Sequence, residues 1–87
     1  MVEIVVHGHA LKHGLTSEEI EFAWRGFIRK RHRCTPHSDQ VVAVGVTREG
    51  VVVEMVAVEK EDALLIYHAL TPPTKSVLRE LGLARRQ

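Results

Sequence analysis

Val41 to Leu70 reads VVAVGVTREGVVVEMVAVEKEDALLIYHAL, and the fold class follows from how this stretch divides. Three apolar runs, about Val41 to Arg48, Val51 to Glu59 and Ala63 to Leu70, are separated by Glu49-Gly50 and by the Lys60-Glu61 region. Apolar runs parted by such short polar breaks predict strands joined by hairpins, hence an antiparallel meander. If Glu49-Gly50 and Lys60-Glu61 are two-residue loops, Val44 pairs with Met55, Met55 with Ile66 and Val53 with His68. One face then carries Val42, Val44, Val46, Val53, Met55, Ala57, Leu64 and Ile66, a core face for helices to cover, with His68 at its rim one row from Arg48. The other face carries Val41, Ala43, Val56, Val58, Ala63 and Leu65, with Glu54 and Tyr67. A sheet face open to water should be more polar than this, so a partner protein or a second copy, as a homodimer, is expected to cover part of it.

Upstream, Thr16 and Glu19 form a capping box, and Leu15 before the cap is placed to staple against Ile20. Ile20, Ala23, Trp24 and Phe27 recur at helical spacing, and Gly26 ends the helix. The spacing puts Trp24 in the core stripe. Phe27 to Arg33 reads as a basic strand, and Cys34 to Asp39 as a loop around Pro36. Downstream, Thr71-Pro72-Pro73 opens a final helix bearing Val77, Leu78 and Leu81, with Gly82 as its C-terminal glycine. Arg85, Arg86 and Gln87 are expected to fray. At the other end Val2 to Val6 is a short strand or extended arm, and His9 to His13 one helical turn stopped by Gly14. The expectation is an α+β domain spanning residues 1–87, with two or three helices packed on one face of an antiparallel sheet.

A chain of 87 residues has room for one core. Its 12 basic and 11 acidic side chains nearly balance, which argues against a non-specific nucleic-acid coat. One cysteine, Cys34, cannot form an internal disulfide. No apolar stretch is long enough to span a bilayer, and nothing resembles a signal peptide, so a cytoplasmic protein without a membrane partner is expected.

Six histidines stand in the chain. His7, His9 and His13 invite a metal reading, but no cysteine or carboxylate completes a zinc-like spacing, so neither a metal nor another cofactor is expected. Alternatively, His7 and His9 only end a strand and begin a helix. His13, Lys12 and His68 suggest RNA cleavage without a metal, which needs a base, an acid and cations around the phosphorane-like transition state. Imidazole serves either proton role near neutral pH, and Lys12, Arg48 and Lys75 are candidates for the phosphate clamp. Arg29, Arg31 and Arg33 share one face of the basic strand, about 6.6–6.8 Å apart. That stripe suits a phosphate backbone, or equally an edge strand charged against aggregation.

The stretch His9-Ala10-Leu11-Lys12-His13-Gly14-Leu15-Thr16-Ser17-Glu18-Glu19-Ile20 resembles the opening of the BrnT-like toxins, where a His-Ala-x-x-His/Arg-Gly turn precedes a capped helix. Val44 to Glu54 resembles their Gly-x-x-x-x-Gly-x-x-x-Glu/Val strand pair. Ile66-Tyr67-His68-Ala69-Leu70 followed by Lys75 resembles the Ile-x-His-Ala-Met…Lys ending of one bacterial branch. The resemblance implies a RelE-superfamily fold and the toxin of a type II toxin–antitoxin pair, a metal-independent endoribonuclease silenced by a small DNA-binding antitoxin. Where the family's last strand ends in Ser-Ala-Arg, this chain has His68-Ala69-Leu70, so an arginine is absent and a histidine gained. On this basis His13 and His68 exchange protons, Lys12, Arg48 and Lys75 hold the phosphate, and His9 orients its neighbours. The alternative is a non-catalytic module that binds RNA through Arg29, Arg31 and Arg33, or a protein through the apolar sheet face.

Overall fold

The apolar runs do pair as strands, and the N-terminal run joins them. A computed structural model describes residues 2–84, so the tail expected to fray at Arg85, Arg86 and Gln87 lies outside the described residues. The elements are β1 (Glu3–Val6), a 3₁₀ turn (Gly8–Leu11), α1 (Ser17–Arg25), β2 (Arg29–His32), β3 (Gln40–Val46), β4 (Val52–Glu59), β5 (Ala63–Leu70) and α2 (Lys75–Glu80). β2 to β5 form the antiparallel meander, and β1 adds as a parallel neighbour of β5, giving the order β1-β5-β4-β3-β2. The sheet is mixed rather than purely antiparallel.

Both hairpin registers differ from expectation, the first by a longer loop and the second by a one-residue shift of its two-residue loop. Thr47 N–H donates to the Val51 carbonyl at 2.9 Å, and Gly50 N–H to that of Thr47 at 3.0 Å, closing a three-residue loop of Arg48, Glu49 and Gly50. Gly50 occupies the left-handed region at φ 86°, as the last loop position of such a hairpin requires. Val44 therefore faces Glu54 and Ala43 faces Met55. At the second hairpin Lys60 N–H donates to the Ala63 carbonyl at 2.7 Å, so the loop is Glu61-Asp62. A bulge then pairs Ala57 with Ile66 but Val56 with His68, leaving Tyr67 unmatched.

Side chains alternate along a strand, so a slip of one residue exchanges faces. Val41, Ala43, Val53, Met55, Ala57, Ile66 and Ala69 pack with Ile20, Ala23 and Trp24 of α1. Val42, Val44 and Val56 pack instead with Val77 of α2 and with Leu81, its C-cap. The helices thus cover opposite faces, correcting the expectation of helices on one face and a bare apolar surface behind. α2 supplies part of the cover that a partner was expected to provide.

The local signals on α1 hold except at Phe27, expected in the buried stripe, which lies beyond the helix and is 41% exposed. Thr16 Oγ1 accepts from Glu19 N–H at 3.1 Å, Glu19 Oε1 accepts from Thr16 N–H at 2.8 Å, and Gly26 is the C-cap. Leu15 and Ile20 are buried in one cluster, and Trp24 is 4% exposed, inside the core. α2 starts later than the prolines suggest, with Thr74 as its N-cap, while Gly82 beyond its end takes φ 72°.

α1 lies directly on the backbone of β3 at Gly45, where an added Cβ would stand 2.0 Å from the Ala23 carbonyl oxygen. Backbone cannot yield as a side-chain tip can. Gly45→Ala is expected to destabilise the fold by about 3 kcal/mol, whereas Gly8→Ala, with nothing within 4 Å of the new methyl, should stay within about 0.5 kcal/mol. Urea midpoints of the two variants against the parent chain measure the difference.

Candidate active site

His68 belongs to β5 beyond the stretch paired with β1, and the bulge at Tyr67 sets the face it meets. Its Nε2 lies 2.7 Å from Glu54 Oε2. Glu54 stands on β4, 3% exposed, and its other oxygen, Oε1, accepts from Thr74 N–H at 2.6 Å. An ionised carboxylate so deep needs donors around it, and here two short bonds occupy both oxygens. Among the described residues no buried side-chain nitrogen or oxygen lacks a partner.

His13 follows the 3₁₀ turn, whose Ala10 is buried in the α1-side core. Its ring meets that of His68 edge-on, with centroids 6.2 Å apart and planes at 75°. His13 is exposed and His68 half-buried, so the pair opens to solvent with the carboxylate behind it. Lys12, on the same turn, reaches His9 Nε2 at 3.3 Å, and His9 N–H donates to His7 Nδ1 at 3.0 Å. Lys75 is exposed at the first position of α2, next to the residue that Glu54 holds. Among the described residues no group of three or more His, Cys, Asp or Glu side chains is arranged to hold a metal ion, nor is any helix long and apolar enough to cross a membrane.

Arg48 was expected beside His68, but the three-residue hairpin carries it elsewhere. Its guanidinium sits 4.5 Å from the centroid of the Phe22 ring and lines a groove with Glu18, Glu19 and Glu49. The arginines of the basic strand do share a face, and that face holds α2. Arg29 Nη1 donates to the Leu81 carbonyl at 3.1 Å and Arg31 Nη1 to that of Glu80 at 2.8 Å. Arg33 grips the Glu80 carboxylate through Nε at 2.9 Å and Nη2 at 3.2 Å, and reaches Gln40 through Nη1. Hydrogen bonding to Glu80 raises the Arg33 pKa above its ordinary value. On the opposite face of β2, Lys30 lies 4.5 Å from the Phe27 ring centroid and His32 pairs with Glu59 at 2.9 Å.

The structure thus joins His13 and His68, sets Lys12 and His9 on the adjoining turn, and separates Arg48 from them. Glu54 was not expected to take part. Its signal was a single acid inside Val51-Val52-Val53-Glu54-Met55-Val56-Ala57-Val58, a composition in which a carboxylate must have donors. No family model, curated protein or solved structure matches the chain.

Because cations at a helix C-terminus satisfy its free carbonyls and oppose its dipole, replacing Arg29 and Arg31 together by Gln should loosen α2. Amide hydrogen exchange at Val77, Leu78 and Leu81 is expected to accelerate about tenfold, the equivalent of one charged hydrogen bond, while exchange in β3 and β4 stays unchanged.

Proposed function

We propose that the chain is a metal-independent endoribonuclease that works in the cytoplasm, toxin-like in being silenced by a small antitoxin protein. The observation that supports it is the His13–His68 ring pair, 6.2 Å between centroids, backed by the Glu54 carboxylate. In such a reaction one neutral imidazole takes the 2′-hydroxyl proton as the 2′-oxygen bonds to phosphorus. The other, as imidazolium, protonates the 5′-oxygen as its bond to phosphorus breaks. The products are a 2′,3′-cyclic phosphate and a 5′-hydroxyl, with no net proton consumed. Lys12 and Lys75 are the cations nearest along the chain to these groups, and stabilisation of phosphorane charge falls to them. Arg48, over Phe22, serves a different surface.

A second reading, a non-catalytic binding module, draws on a different observation. Phe27 and Ile28 are 41% and 53% exposed beside β2, an apolar surface suited to a protein partner. Its RNA-binding version has less support, because Arg29, Arg31 and Arg33 already engage α2.

Purified protein is expected to cut RNA in the presence of a chelator, with His68→Ala and His13→Ala each slowing cleavage by roughly 10²–10⁴. Release of cyclic-phosphate ends from a fluorogenic oligoribonucleotide reads the rate. Undiminished cutting by both variants would remove the mechanism, and RNA bound but never cut by the parent chain would favour the module.

A further inference from the structure

The carboxylate behind His68 constrains more than the position of the ring. Glu54 Oε1 accepts from the backbone N–H of Thr74, a donor whose direction is set by the chain. Oε2 is thereby turned to His68 Nε2 at 2.7 Å. An ionised carboxylate can only accept, so a contact this short requires Nε2 to carry the proton. The neutral ring is then the Nε2–H tautomer, and its lone pair resides on Nδ1. Among the described residues no such partner fixes His13, which is exposed.

Resting on the ribonuclease reading for the task of His68, we infer that Glu54 is its positioning residue: it fixes the Nε2–H tautomer, makes Nδ1 of His68 the base for the 2′-hydroxyl, and leaves the acid role to His13. As Nδ1 takes up the proton the ring becomes an imidazolium, and the adjacent carboxylate stabilises that charge without itself being protonated. The N-cap of α2 is part of the device. Thr74 N–H is what turns Oε2 toward the ring, so α2 must be seated on the sheet for the tautomer to be set.

Glu54→Gln separates this role from mere packing, since the two side chains have nearly the same shape. Thr74 N–H still demands an acceptor, so the Gln oxygen stays with it and the amide NH₂ faces His68. Nε2 must then accept, and the proton moves to Nδ1. Nitrogen-15 NMR of the imidazoles, at alkaline pH where the rings are neutral, reads the tautomer directly in the parent chain as in the variant. The expected result is protonated Nε2 in the parent and protonated Nδ1 in Glu54→Gln. RNA cleavage by the variant should fall about 10⁴-fold in kcat, with KM little changed. A parent His68 protonated at Nδ1 would overturn the inference, whatever the variant does. So would a variant whose tautomer is unchanged, or one that cuts RNA at the parent rate. If the parent cuts no RNA yet the tautomer reverses as expected, the ribonuclease reading fails while the control of His68 by Glu54 stands.

Discussion

Glu54 sits in the middle strand of the sheet at 3% exposure, where an unpaired carboxylate would be strongly destabilising. Its two oxygens are satisfied by donors from two other segments: the His68 ring of β5 and the N–H that begins α2. One side chain therefore ties β4, β5 and α2 together. It holds an imidazole at the rim and a helix on the sheet by the same pair of hydrogen bonds. Much of what is particular to this chain follows from that economy.

α2 has six residues, too few to persist alone, since isolated helices shorter than about 12–15 residues are marginal in water. Its N-terminus is bound by Glu54 and capped by the Thr74 hydroxyl, and its C-terminus is bound by Arg29, Arg31 and Arg33. Between them Val77 and Leu81 bury against Val42, Val44 and Val56. Fixed charges of opposite sign thus match the polarity of both helix termini, and they come from two different strands. The carboxylate comes from β4 at the amide end, and the guanidinium groups from β2 at the carbonyl end. A basic strand that resembles a phosphate-binding stripe is in this way an anchor for a helix.

The other face is governed by closeness. Gly45 lets the backbone of α1 approach β3 to a distance no Cβ would allow, and Ile20, Ala23 and Trp24 fill the layer around it. The 3₁₀ turn is tied to the same core through Ala10, and from it Lys12 and His13 project at the solvent edge. His13 and His68 thus meet where a turn seated on one side of the sheet passes a residue bonded on the other. The two rings come from distant parts of the chain, and only the parallel pairing of β1 with β5 brings the turn after β1 to the end of β5.

Features that depend on a few consecutive residues were legible in the sequence. The capping box of α1, its stop at Gly26, the placing of Trp24 in the core, the bounds of β5 and the glycine after α2 all follow from local stereochemistry and spacing. So did the α+β class and the meander of β2 to β5, whereas His13 and His68 were grouped for the chemistry imidazoles can do, and it is the fold that brings their rings together. Register was not legible, because the choice between a two-residue and a three-residue loop at Arg48 to Gly50 depends on where Gly50 takes its positive φ. That single step exchanges Val42 and Val44 between faces and removes Arg48 from His68. The roles of Arg29, Arg31 and Arg33, and of Glu54, lay equally out of reach. Their partners are 47 to 52 residues away for Arg33 and Arg29, and 14 and 20 for Glu54. Charge and burial demand a partner for each, but only the folded backbone decides which one is within a hydrogen bond.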